Sequence, residues 1–122
     1  MIYDDGLETN QQDLTNLEDS EDRPGVDRYT SLVRVARRFV IKGRVQGVGF
    51  RYFAQEAALR EGLHGWVTNR EDGVVEALAE GERDAVERFE WKLRRGPSSA
   101  RVDEVFVDED VPAGRTNGFV IK

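Results

Sequence analysis

Residues 43–51 read GRVQGVGFR. An apolar run at 39–45 leads into them and a helical pattern at 51–61 leads out. The geometry implied is a strand, a glycine-punctuated turn and a helix N-terminus. Successive backbone N–H groups in such a turn can form a concave nest for an anion. The first helical N–H groups lack internal partners and lie at the positive end of the helix dipole. Arg51 falls at that end, where its own charge is locally unfavourable. Nest, helix end and arginine together call for a shared anion, and phosphate is the natural candidate. The competing reading is an ordinary strand-to-helix connection in which Gly47 and Gly49 only supply positive φ.

The stretch is not a common nucleotide loop. A Walker A loop needs Lys and then Ser or Thr after its last glycine, and here Phe50 and Arg51 follow Gly49. A dinucleotide fingerprint needs a third glycine at position 52, which is Tyr52.

Charge is unevenly placed along the 122 residues. Residues 1–34 carry nine acidic and three basic side chains, the whole net charge of −6, while residues 35–122 carry fifteen of each. The first segment has few large apolar residues and no sustained period. It cannot bury enough surface to offset the entropy of ordering, so residues 1–34 are expected to form a disordered acidic extension. That extension reads as a solvating segment, with a partner-binding arm as the alternative. Residues 35–122 suffice for one domain with one modest core. There is no cysteine, which excludes disulfides and thiolate metal sites, and His64 is the only histidine, which argues against a histidine metal cluster or a Ser–His–Asp triad. No apolar run approaches a membrane span and no secretory signal is evident, so a cytoplasmic protein without membrane partners is expected.

The folded segment has a legible order. Phe39, Ile41, Gly43 and Val45 share one face of a first strand. Phe50, Phe53, Ala54, Ala57 and Ala58 form the buried stripe of a helix that Gly62 stops. Residues 63–69 and 74–80 read as strands joined by a Glu71-Asp72-Gly73 turn. A second helix spans 82–95, with Val86, Phe89 and Leu93 inward. Strands at 102–107 and around Phe119 and Ile121 complete the chain. The expected class is α+β: a ferredoxin-like βαββαβ sandwich, with a mostly antiparallel sheet and two helices on one face.

Four motifs, GRVQGVGFR at 43–51, GWVTN at 65–69, DGVVEALAEG at 72–81 and GPSSARVDEV at 96–105, occur in order and at compatible spacing. Together they closely resemble the acylphosphatase family over about residues 37–122. The resemblance implies hydrolysis of acyl phosphates to a carboxylate and phosphate. It places Gln46, Gly47, Val48, Gly49, Phe50 and Arg51 on the family's phosphate cradle, with Arg51 as the phosphate-binding arginine. Asn69 falls on its water-positioning asparagine. An acyl phosphate has a weakly basic carboxylate leaving group, so positioning and charge stabilisation suffice. No cofactor and no metal are therefore expected. The expected partners are a small acyl phosphate as substrate and inorganic phosphate as product and inhibitor, with no nucleic acid, acting on a monomer.

Three other readings compete. A non-catalytic anion- or ligand-binding module could share the fold. An RNA-binding sheet would need stacking aromatics and a basic face, and the strand at 74–80 has no aromatic. A domain acting on carbamoyl phosphate inside a larger enzyme would need further domains. His64 reads as a surface or strand residue, and Glu56, Asp72 and Glu76 as solvated face or turn residues.

Overall fold

The computed structural model of the protein describes residues 33–122. The acidic extension expected to be disordered lies outside the described residues, except Val33 and Arg34. In chain order the elements are β1 (Arg34–Arg44), α1 (Phe50–Arg60), β2 (His64–Asn69), β3 (Val75–Glu82), α2 (Arg83–Arg95), β4 (Arg101–Asp110) and β5 (Phe119–Ile121). The five strands form one sheet in the order β4-β1-β3-β2-β5. All neighbours are antiparallel except β2 and β5. The split βαβ order read from the motifs is therefore the one observed.

Both helices cover one face. Phe39, Ile41, Val67, Val75, Ala77 and Ala79 alternate inward along β1, β2 and β3. They meet Phe50, Ala54 and Ala58 of α1 and Val86, Phe89 and Leu93 of α2. Phe89 packs edge-to-face on Phe39 and on Phe119, with 5.6 Å between ring centroids in each pair. Such pairs add about 0.5–1.5 kcal/mol each beyond the area they bury. They also link α2 to β1 and to the start of β5.

β1 begins five residues ahead of the apolar run at 39–45, and β4 continues three residues past 107. Six of the eight added residues are charged, and pairing explains why they stay in the ladder. β1 lies between β3 and β4, so Arg37 and Arg38 face strands on both sides. The Arg37 guanidinium sits 2.7 Å from the Glu109 carboxylate, and that of Arg38 sits 2.6 Å from Glu76. Glu76 is thus an ion-pair partner, not merely a solvated residue. β1 gives up its register at Lys42/Gly43. Gly43 has φ 133, and a Cβ there would collide with the Arg101 carbonyl. That irregularity releases Val45 from the ladder and turns the chain towards α1.

Among the described residues, the other face carries no helix. Arg38, Leu78 and Trp66 lie side by side across β1, β3 and β2. Arg38 reaches the Trp66 ring at 5.6 Å, and the two cover Leu78, which is buried. One row further along, Asp110, Ala36, Glu80 and His64 are cross-strand neighbours. The connection from β4 to β5 joins opposite edges of the sheet, and it is fastened to this row. Glu80 is fully buried. Its carboxylate accepts hydrogen bonds from the Ala113 N–H at 3.1 Å, the Gly114 N–H at 2.8 Å, Arg115 Nη1 at 2.7 Å and Arg34 Nη2 at 3.3 Å. His64 Nδ1 accepts the Gly118 N–H at 2.9 Å, so that nitrogen carries no proton in this arrangement.

Burial alone would raise the Glu80 pKa. The four donors outweigh it and hold the carboxyl down at about 2, against 4.5 when free. Because the folded value is the lower one, the stabilisation is present above pH 4.5. It is lost as the pH falls towards about 2. The difference is worth about 3 kcal/mol. Glu80→Gln should therefore lower stability at pH 7 by about 3 kcal/mol and flatten the acid limb. Urea unfolding of both proteins at pH 7 and pH 3 tests this; equal midpoints at pH 7 would remove Glu80 as the anchor.

Candidate active site

After β1 the chain bends through residues 46–49 and enters α1. Gly47 and Gly49 have φ 75 and φ 78, and a Cβ at either would meet nothing within 4 Å. Glycine is needed here for backbone conformation, not for space. Gly49 is the N-cap of α1, with no side-chain cap and no acidic residue in the first turn. The first N–H to find a partner is that of Phe53, on the Gly49 carbonyl at 3.1 Å. Among the described residues, none accepts from the backbone N–H groups of positions 47 to 52. Six successive donors are thus left open at the positive end of a helix.

Neighbouring segments hold this bend. Gln46 Nε2 donates to the Arg70 carbonyl at 2.7 Å and the Val74 carbonyl at 2.9 Å. The bend is thereby tied to the β2–β3 turn that follows Asn69. Ser99 Oγ donates to the Val48 carbonyl at 2.8 Å.

Val45, Gly47, Gly49, Phe50, Arg51, Tyr52 and Asn69 line one cavity of about 90 Å³. Typical small-molecule pockets run to roughly 300–1,000 Å³. The space therefore suits a phosphoryl group and not a nucleotide. Arg51 is the only charged residue in the lining, so no carboxylate opposes an anion. Asn69 Oδ1 is buried and has no hydrogen-bond partner among the described residues. An unpartnered buried acceptor is costly, and here it belongs to a residue of the cavity wall.

Of the residues assigned to the cradle, Gly47, Gly49, Phe50 and Arg51 line the cavity, and Gln46 and Val48 do not. The Gln46 side-chain amide is committed to the hairpin carbonyls. The Val48 side chain packs on the core. Arg51 and Asn69, on different elements, line the same cavity. His64 stands at the other end of β2, at the fastening of the crossover. No group of described His, Asp or Glu residues could hold a metal ion.

The motifs left two contacts unassigned. Arg51 Nη1 donates to the main-chain oxygen of Lys122 at 3.1 Å. Lys122 N–H donates to the Val67 carbonyl at 2.8 Å, and its Nζ lies 4.5 Å from the Trp66 ring centre. β5 runs parallel to β2, and this brings its end to the arginine. The oxygen belongs to the backbone, so no side-chain signal announces it. Ser99 lay within the GPSSARVDEV motif but had no role attached.

A sequence profile of acylphosphatases matches residues 37–121. The chain belongs to the acylphosphatase family. It is 55% identical over 78 residues to the acylphosphatase of Nitrobacter hamburgensis, across 64% of this chain and 76% of that protein. The crystal structure of an acylphosphatase from Bacillus subtilis is similar with a TM-score of 0.69 at 41% identity, covering 72% of this chain and 98% of that one. An acylphosphatase from Coxiella burnetii gives 0.70 at 34% identity, over 73% and 93% of the two chains. The ferredoxin-like acylphosphatase fold accounts for both the helix placement and the sheet order. No described helix of this acylphosphatase-family chain is long and apolar enough to cross a membrane.

The glycines of the bend supply a test of its conformation. A left-handed backbone costs an L-residue about 1–2 kcal/mol, less for asparagine. Gly49→Ala should lower stability by about that amount, and Gly49→Asn by less. Chemical denaturation measures both, and an unchanged Gly49→Ala midpoint would contradict the left-handed cap.

Proposed function

We propose that the domain spanning residues 35–122 hydrolyses acyl phosphates, with the phosphoryl group held by the backbone of residues 47–51 and by Arg51. The observation that carries this reading is one small cavity lined by Gly47, Gly49, Phe50, Arg51 and Tyr52, whose backbone N–H groups have no acceptor among the described residues, together with the Arg51 guanidinium and the unpartnered Asn69 oxygen. The donors and the arginine fit the charge spread over the equatorial oxygens of a loose transition state. Arg51 keeps its remaining N–H groups for two phosphoryl oxygens while Nη1 braces on Lys122. Asn69 Oδ1 accepts a hydrogen bond from one water and aims it at phosphorus.

In the step itself, the water oxygen–phosphorus bond forms as the bond from phosphorus to the acyl oxygen breaks. The electron pair leaves on the carboxylate. A dianionic acyl phosphate and water give the carboxylate and dihydrogen phosphate, so both protons of the water finish on the phosphate. The leaving group is weakly basic and needs no acid, which agrees with a wall that holds no carboxylate or histidine. A binding-only module would gain nothing from the buried Asn69 acceptor.

Phosphate release from acetyl or benzoyl phosphate, against a phosphate monoester control, tests the reaction. Arg51→Ala should lose about 3–6 kcal/mol, on the order of 10²–10⁴ in kcat/KM, together with phosphate affinity. Arg51→Lys should rescue little, because a point charge cannot replace the fork. Asn69→Ala should still bind phosphate while kcat falls by a factor on the order of 10²–10³. Near-normal turnover in a folded Asn69→Ala protein would exclude the water-holding role. Turnover should also survive exhaustive chelation, and a loss restored by added Mg²⁺ or Zn²⁺ would defeat the mechanism.

A further inference from the structure

A peptide unit is planar, and in the trans form its C=O and N–H point in opposite directions. The described residues contain no cis peptide bond. The Val48 carbonyl receives the Ser99 hydroxyl proton at 2.8 Å. The N–H at the other end of that peptide unit belongs to Gly49, and it must point away from Ser99. Gly49 lines the cavity and Val48 does not. The Ser99 hydrogen bond thus fixes the Gly49 N–H on the side away from Ser99, at a residue of the cavity lining.

Little else resists rotation of this unit. Gly47 and Gly49 flank Val48, have no Cβ, and stand in open space. The N–H of Val48 has no acceptor among the described residues. The Val48–Gly49 unit can turn about ψ of Val48 and φ of Gly49, a residue tolerant of either sign of φ. Turned over, it would present a carbonyl oxygen to the cavity in place of an N–H. A donor would become an acceptor facing a phosphoryl oxygen, which is repulsive.

Ser99 is well placed to prevent this. It lies in a turn closed by the Ala100 N–H on the Pro97 carbonyl at 2.9 Å. Pro97 fixes its own φ, and Ala100 packs against the core. The hydroxyl therefore rides on the loop between α2 and β4, which is closed by its own turn and packed on the core through Ala100.

We infer that Ser99 is a positioning residue: through the Val48 carbonyl it holds the Gly49 N–H in the anion-binding orientation. The inference rests on the reading of the cavity as a phosphoryl site. Ser99 touches no substrate and acts only through the Val48–Gly49 peptide unit.

The test uses the full chain with Ser99→Ala, Ser99→Thr and Ser98→Ala. Inorganic phosphate is the binding probe and acetyl phosphate the substrate. Losing the orientation of one oxyanion-type donor should cost Ser99→Ala on the order of 10–10² in phosphate affinity and in kcat/KM, below the full loss of a donor. Ser99→Thr, which keeps the hydroxyl, should stay near the parent, as should Ser98→Ala. The Gly49 amide resonance of the parent should shift on adding phosphate, and that shift should be lost in Ser99→Ala. Affinity and turnover within two-fold of the parent in Ser99→Ala, or an undiminished Gly49 shift, would overturn the inference. Phosphate binding and the Gly49 shift are read without turnover. A parent protein that binds phosphate but releases none from acetyl phosphate would therefore fail the catalytic reading while leaving the Ser99 measurement intact.

Discussion

The buried Glu80 carboxylate is the contact on which the geometry of the site depends. A charge with no solvent exposure is tolerated only when donors surround it, and Glu80 has four. Two of them are backbone N–H groups of the β4–β5 connection, so satisfying the charge fastens that connection to the sheet. β5 can then start beside β2, where Phe119 meets Phe89. The end of β5 delivers the Lys122 oxygen to Arg51. A carboxylate at one end of the sheet and an arginine at the other are thereby joined by a short strand.

The cradle shows the opposite economy. Six backbone donors stay open, a left-handed glycine caps the helix, and an arginine stands at its positive end. The open donors and the arginine are unfavourable without an anion, while glycine takes up the left-handed turn without steric cost. The surroundings hold the bend in place all the same, through Gln46 on the β2–β3 turn and Ser99 on the loop before β4. An anion in the cavity would relieve these costs together. Binding should for that reason raise stability by mass action, and local rules are broken where function would need them broken.

The cavity lining holds no histidine or carboxylate, which suits a reaction whose leaving group needs no acid. A pocket of about 90 Å³ has room for a group the size of a phosphoryl and little more. Tyr52, mostly exposed at the rim, adds no charge there. Discrimination then rests on how well phosphorus can be attacked while its leaving group departs unaided. Acyl phosphates meet that condition and phosphate monoesters do not.

Much of this was legible in the residues alone. Period-2 alternation placed Phe39 and Ile41, period-3.6 spacing placed Phe50, Ala54 and Ala58, and both signals are local because each records one element meeting one core. The pairing of Arg51 with Asn69 was legible through the order and spacing of four motifs, and in the structure the two residues line one cavity. The unread features share a physical cause. Charged extensions of β1 and β4 look like solvent-facing chain until cross-strand carboxylates and guanidinium groups are brought opposite each other. Glu80 looks like any exposed strand residue until the connection between opposite sheet edges closes over it. Gln46 and Ser99 act on carbonyls, and Lys122 offers a backbone oxygen, so no side-chain pattern encodes these contacts. Sequence by itself therefore determined the elements, the core faces and the residue types that gather at the cavity. Which way each backbone dipole points was decided only by tertiary structure, because segments distant in the chain supply the partners.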